Sequence, residues 1–218
     1  MREKIIKAIE KEKIIVIVRG VARKQLIPLA EAMYAGGIRL LEITYSADGA
    51  MTDEETAKNI EMLSDFFHDR MYIGAGTVLN QVQVELTKEA GGKFIISPDT
   101  FPEVIERTRG LGMVSIPGAF TPSEIQTAHR EGADFVKVFP ISNMGMEYVQ
   151  AVKAPLSHIK LLAVGGVNEE KIKRYLQAGI AGFGIGSNIV NKKLIEEDKY
   201  LEITKRAKRY VAKVMETL

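Results

Sequence analysis

The stretch ADFVKVFP, residues 133–140, reads as a buried strand with a lysine at its centre. Phe135, Val136, Val138 and Phe139 are good strand formers. An ammonium without a partner is costly inside a protein, so Lys137 needs a reason to be there. Side chains alternate along a strand. Phe135, Lys137 and Phe139 therefore share one face, and Val136 and Val138 share the other. The β-branched valines suit a surface under helices, which turns Lys137 toward an interior.

Seven more short apolar runs extend the pattern in both directions. They are IIVIV (14–18), LLEI (40–43), YIGA (72–75), FIIS (94–97), MVSIP (113–117), LLAVG (161–165) and GFGIG (182–186). Each is separated from the next by about one helix and two loops, the spacing of βα units. Eight such units predict a (β/α)8 TIM barrel of slightly below typical size. A doubly wound open sheet is the structural alternative. Gly36, Gly91, Gly132 and Gly179 stand where helices end, as C′ glycines. TPSE (121–124) predicts a capping box with Thr121 as N-cap, and TFPE (100–103), NQVQ (80–83) and VNEE (167–170) predict similar starts. The first residues, MREKIIKAIEKEK, predict an extra N-terminal amphipathic helix rather than a signal peptide. The last 27 residues predict a short helix and then a long one that completes the outer ring. No linker or shift of composition divides the chain, so residues 1–218 are expected to form one barrel domain.

The 218 residues carry 30 Lys and Arg against 28 Asp and Glu. A net charge of +2 gives no reason to expect nucleic acid or an anionic membrane as partner. No run approaches the roughly 18 apolar residues of a membrane span. There is no Cys, which excludes disulfides, thiol catalysis and zinc–thiolate sites. That absence fits a reducing cytosol, and the expected localisation is cytoplasmic.

The same alternation places other polar groups. In LLEIT, Leu41 and Ile43 face the helices, while Leu40, Glu42 and Thr44 face inward. In IIVIVR, Ile15, Ile17 and Arg19 share a face, with Arg19 at the C-terminal end. Thr77 ends YIGAGT. A cation, a carboxylate, a guanidinium and a hydroxyl thus converge near the C-terminal ends of the strands, where barrel enzymes keep their sites. Lys137 and Glu42 could be a structural ion pair, since such pairs also perturb pKa values. The functional reading is that a lysine in an apolar pocket has a lowered pKa. Its free amine can then form a Schiff base with a carbonyl. Glu42 would move the protons that such chemistry requires. This class I aldolase arrangement needs no metal. His68, His129 and His158 fall on helices or connections and give no metal-ligand pattern. The glycines of VGG (164–166) and GFGIGS (182–187) let backbone N–H groups approach an anion, with Ser187 as a further donor. Barrels often hold phosphate at the loops after their seventh and eighth strands.

Together, AGGIRLLEIT, IGAGTVLN, FIISP, IPGAFTPSE and ADFVKVFP resemble the family of 2-keto-3-deoxy-6-phosphogluconate (KDPG) and 4-hydroxy-2-oxoglutarate (KHG) aldolases. The likeness runs from about residue 14 to 190, with the motifs in family order. It implies a class I Schiff-base mechanism, no cofactor and a homotrimer. Lys137 resembles the Schiff-base lysine and Glu42 the acid/base carboxylate. Thr77 resembles the threonine of the pyruvyl pocket. Pro98, Gly118 and Phe139 resemble pocket-wall residues, and Gly165, Gly166, Gly186 and Ser187 resemble the phosphate-binding end. Many KDPG aldolases read LEVTLRT, whose arginine grips the substrate carboxylate. Here LEITYSA puts Ser46 in its place. The related 2-keto-3-deoxy-6-phosphogalactonate (KDPGal) aldolases also lack that arginine. They carry RG after the first strand and AVGGV before the phosphate, as this chain does at 19–20 and 163–167. Arg19 is therefore the candidate carboxylate anchor. The expected activity is cleavage of KDPG to pyruvate and glyceraldehyde 3-phosphate. The alternatives are KHG, KDPGal, or a phospholigand-binding barrel without chemistry.

Overall fold

The computed structural model describes residues 1–217, with all side chains among them except that of residue 143. Its elements run α1 (Arg2–Glu12), β1 (Ile14–Val18), α2 (Arg23–Ala35), β2 (Leu40–Thr44), α3 (Asp53–Phe67), β3 (Tyr72–Gly76), α4 (Gln81–Glu89), β4 (Phe94–Ile96), α5 (Pro102–Gly110), β5 (Val114–Ile116), β6 (Gly118–Ala119), α6 (Pro122–Arg130), β7 (Val136–Val138), α7 (Met146–Lys153), β8 (Leu161–Val164), α8 (Glu169–Gln177), β9 (Gly182–Ile185), α9 (Lys192–Glu196) and α10 (Tyr200–Met215). No described helix is long and apolar enough to cross a membrane.

All strand pairs are parallel, in the order β5-β4-β3-β2-β1-β9-β8-β7-β6. The two ends of this order, β5 and β6, are consecutive in the chain. The fold is therefore a nearly closed barrel and not an open sheet. Eight runs predict eight strands and nine segments are found, because the fifth strand continues past the run 113–117 to Ala119 and is divided at Pro117 into β5 and β6. A proline has no N–H to give to a ladder. The segment before Pro117, β5, pairs with β4, and the segment after it, β6, pairs with β7. The Pro117 carbonyl still accepts from the backbone N–H of Lys137 at 2.8 Å.

The strand faces divide as the alternation predicts. Val136 and Val138 join Leu41, Ile43, Val16 and Ile73 in the large core beneath the helices. Ile15, Leu40, Phe94, Ile96, Phe135 and Leu162 form a second, inner cluster. Ile5, Ile6 and Ile9 of α1 belong to this inner cluster, so the N-terminal helix plugs the end of the barrel where the strands begin. Arg2 of α1 is bound to Asp134, just ahead of β7, with Nε donating to Oδ2 at 3.1 Å.

The helix signals hold with two exceptions. Thr121 and Glu124 form the expected capping box, and Asn80 and Asn168 cap α4 and α8. Gly91, Gly132 and Gly179 have positive φ, as C′ glycines should. At the end of α2, however, the left-handed residue is Gly37, with φ of 95°. Gly36 keeps a helical φ of −80° and serves packing instead: a Cβ on it would lie 2.4 Å from Cβ of Ala207 in α10. At α5 the N-cap is Phe101, without a side-chain cap, because the Thr100 hydroxyl donates to the Gly118 carbonyl at 2.8 Å.

Candidate active site

Glu42 on β2 and Lys137 on β7 stand four strands apart in either direction round the ring. Their side chains face each other across the barrel interior, and both are buried, with Glu42 2% and Lys137 8% exposed. They influence each other by charge and not by a hydrogen bond. Glu42 Oε2 is buried with no hydrogen-bond partner. A structural ion pair would close this contact, so the arrangement does not fit that reading. The Lys137 Nζ lies 4.7 Å from the ring centroid of Phe139, the next residue on its face.

Burial dominates the chemistry of both groups. It pushes the Glu42 carboxyl up to about 7, with the charges of Lys137 and Arg19 opposing the rise. It also lowers the pKa of Lys137, with Glu42 opposing, Arg19 assisting and Asp99 opposing. A low-dielectric site disfavours both charged forms. Near neutral pH the carboxyl can give or take a proton, and the amine is closer to its nucleophilic form.

Space for Glu42 comes from glycine. A Cβ at Gly76 would lie 1.5 Å from Glu42 Oε1, and one at Gly74 would lie 2.4 Å from the Phe94 ring. Glycine weakens a strand unless another group needs the room. Gly118, in register with Lys137, has the same function toward Pro98: a Cβ there would lie 2.2 Å from the Pro98 carbonyl oxygen.

Arg19 follows β1 at the C-terminal rim and is exposed. Its Nη2 donates to Thr77 Oγ1 at 2.9 Å. Thr77 has φ of 55°, an uncommon conformation for a β-branched residue, and it holds the hydroxyl beside Arg19. Ser46 donates to Asp48 Oδ1 at 2.5 Å. The Ser46 bond, assisted by the Ala50 N–H and more weakly by Arg19, lowers the Asp48 pKa. A cavity of about 1130 Å³ opens here, lined by Arg19, Thr44, Ser46 and Asp48 on one side and by Gly186, Ser187 and Lys192 on another. Lys137 and Glu42 are outside its lining.

Gly165 and Gly166 follow β8 with φ of 93° and 71°, which favour glycine. Gly165 packs beside Phe139, where a Cβ would approach the ring to 3.3 Å, and Gly166 packs beside Ser142. The structure thus brings Lys137, Glu42, Phe139, Arg19 and Thr77 together, with Gly186 and Ser187 beside Arg19 at the end of β9, the strand paired with β1. Pro98 and Gly118 sit beside the lysine strand. Sequence reasoning passed over Gly74, Gly76 and Asp99. The signal for the glycines was present, since two of them interrupt an otherwise apolar strand.

Comparison with known proteins gives the same direction. The family model for KDPG and KHG aldolase matches residues 5–206. The 2-dehydro-3-deoxy-6-phosphogalactonate aldolase of Escherichia coli K12 is 36% identical over 177 residues, covering 81% of this chain and 83% of its own. A native KDPGal structure is 33% identical with a TM-score of 0.83, covering 94% of this chain and 95% of its own. A KDPG aldolase from Legionella pneumophila, with pyruvate captured as a covalent carbinolamine, is 29% identical with a TM-score of 0.83, covering 93% and 96%. A parallel barrel with this likeness is an aldolase, a carbon–carbon lyase. Within that class, the chain belongs to the KDPG and KHG aldolase family.

Proposed function

We propose that the chain cleaves a 2-keto-3-deoxy-6-phosphosugar acid to pyruvate and glyceraldehyde 3-phosphate, with Lys137 as the Schiff-base nucleophile. The observation that carries this reading is the buried Glu42–Lys137 arrangement, with both groups biased toward their neutral forms. The Lys137 amine attacks the C2 carbonyl. Glu42, protonated, gives its proton to the carbinolamine hydroxyl, which leaves as water and forms the iminium. The carboxylate takes the proton of the C4 hydroxyl as the C3–C4 bond breaks, and that electron pair passes into the iminium to give the enamine. Glyceraldehyde 3-phosphate departs. Glu42 returns the proton to C3, and water then hydrolyses the iminium to release pyruvate and the amine. Arg19, aligned by Thr77, holds the keto-acid carboxylate, and Gly165, Gly166, Gly186 and Ser187 receive the phosphate. Phe139, Pro98 and Gly118 form the walls.

KDPG was the expected substrate. Its C4 epimer, KDPGal, is the reading that two observations favour. Ser46 replaces the arginine of many KDPG aldolases and is committed to Asp48. The Escherichia coli phosphogalactonate enzyme is also a 36% identical relative. KHG carries no phosphate and would leave the glycine cradle unused. A homotrimer is the assembly implied by the family resemblance, and exposed Leu79, Val82 and Phe120 offer apolar surface for it. Retro-aldol rates on KDPG, KDPGal and KHG, measured side by side, test the assignment. A higher kcat/KM on KDPGal supports the epimer choice, and a preference for KHG would contradict the phosphosugar reading.

A further inference from the structure

We propose that a groove at the N-terminal end of the barrel, opposite the aldolase site, binds a small multivalent anion of the polyphosphate class. The groove, of about 370 Å³, is lined by Lys4, Lys7, Lys11, Arg39 and Arg70 against only Glu12 and Asp69. That volume is within the range of small-molecule sites. Lys4 is paired with Asp69 at 2.9 Å and Lys11 with Glu12 at 3.6 Å. Among the described residues, Lys7, Arg39 and Arg70 have no carboxylate partner.

These cations come from separate elements, and two of them are fixed. Arg39 Nη1 donates to the Tyr34 and Ile38 carbonyls at 3.0 and 2.8 Å, and its guanidinium stands 4.1 Å from the Tyr34 ring centroid. Arg70 Nη2 donates to the Phe66 carbonyl at 2.9 Å, with its guanidinium 5.6 Å from the same ring. A guanidinium has five N–H donors, so each keeps donors free after these bonds. Lys7 lies between Lys4 and Lys11 on the face of α1 opposite the buried Ile5 and Ile9. Crowded like charges repel, and an anion removes that cost. One phosphate suits one guanidinium fork. Three unpaired cations on three elements call for an anion with several charged groups. The chain as a whole carries only +2, so the excess is local and does not form the broad basic surface of a nucleic-acid binder.

The test is calorimetric titration of the full chain with sodium tripolyphosphate at fixed ionic strength. With the aldolase phosphate cradle saturated by glycerol 3-phosphate, one site per chain is expected. Lys7→Glu and Arg70→Gln should each weaken Kd by about tenfold or more, the worth of one charge-assisted contact. Lys7→Glu should keep wild-type retro-aldol activity, which shows that it folds. No binding once glycerol 3-phosphate fills the aldolase cradle, or an unchanged Kd in Lys7→Glu, would overturn the proposal. So would tighter binding of a short RNA oligonucleotide than of tripolyphosphate.

Discussion

Gly76 stands so close to Glu42 that a Cβ on it would lie 1.5 Å from the carboxylate Oε1. The carboxylate occupies the volume that any other residue at 76 would fill. Gly76→Ala is therefore expected to displace Glu42 from its position opposite Lys137. Misplacement of about 1 Å can cost about 10²-fold in rate. A folded Gly76→Ala protein should lose kcat by about that factor, and one that turns over normally would show that Glu42 tolerates the shift.

Glu42→Gln keeps the shape and removes the titrating group. We expect kcat to fall by ~10²–10⁴-fold, the usual worth of a general acid–base group. Stability supplies an independent readout. Because the folded pKa is raised from 4.5 to about 7, the folded state holds a proton that the unfolded chain releases. The contribution of Glu42 to stability is thus greatest below pH 4.5 and is lost as pH rises through about 7. Melting temperature should decline across that window more in wild type than in Glu42→Gln. Parallel pH profiles would refute the raised pKa.

Arg19 and Thr77 meet at 2.9 Å on the rim. If Arg19 anchors the keto-acid carboxylate, Arg19→Ala should raise KM for pyruvate in the aldol direction by about ten- to hundredfold. Arg19→Lys should recover only part of this, since an ammonium lacks the bidentate fork. Unchanged pyruvate saturation in both variants would move the anchor elsewhere.

Ile9 is fully buried in the inner cluster, on the helix that plugs the barrel. Ile9→Ala should destabilise the fold by about 2–5 kcal/mol, the usual cost of truncating a buried aliphatic side chain. Chemical denaturation measures this directly. A loss below about 1 kcal/mol would show that α1 contributes little to the core.

Much of this was legible in the chain. Period-two alternation alone put Lys137 and Glu42 on inward faces, because a barrel strand has helices on one side and the axis on the other, whereas Arg19 lies beyond the end of β1 and is exposed at the rim. Pro117 could not be read as a division, since a proline at the end of MVSIP looks like a strand terminator. Its neighbours on both sides pair only once the ring closes. The role of Gly36 was hidden for a related reason: its contact, Ala207, lies far along the chain, and only packing reveals it. Asp99 and Asp48 sit in loops, where no periodicity fixes a direction.

Borohydride reduction in the presence of pyruvate tests whether Lys137 is the Schiff-base nucleophile. One stable pyruvyl adduct per chain is expected, located at Lys137 by peptide mass mapping. Lys137→Ala should remain folded, form no adduct and lack turnover. An adduct at another lysine, or turnover retained in Lys137→Ala, would contradict that role.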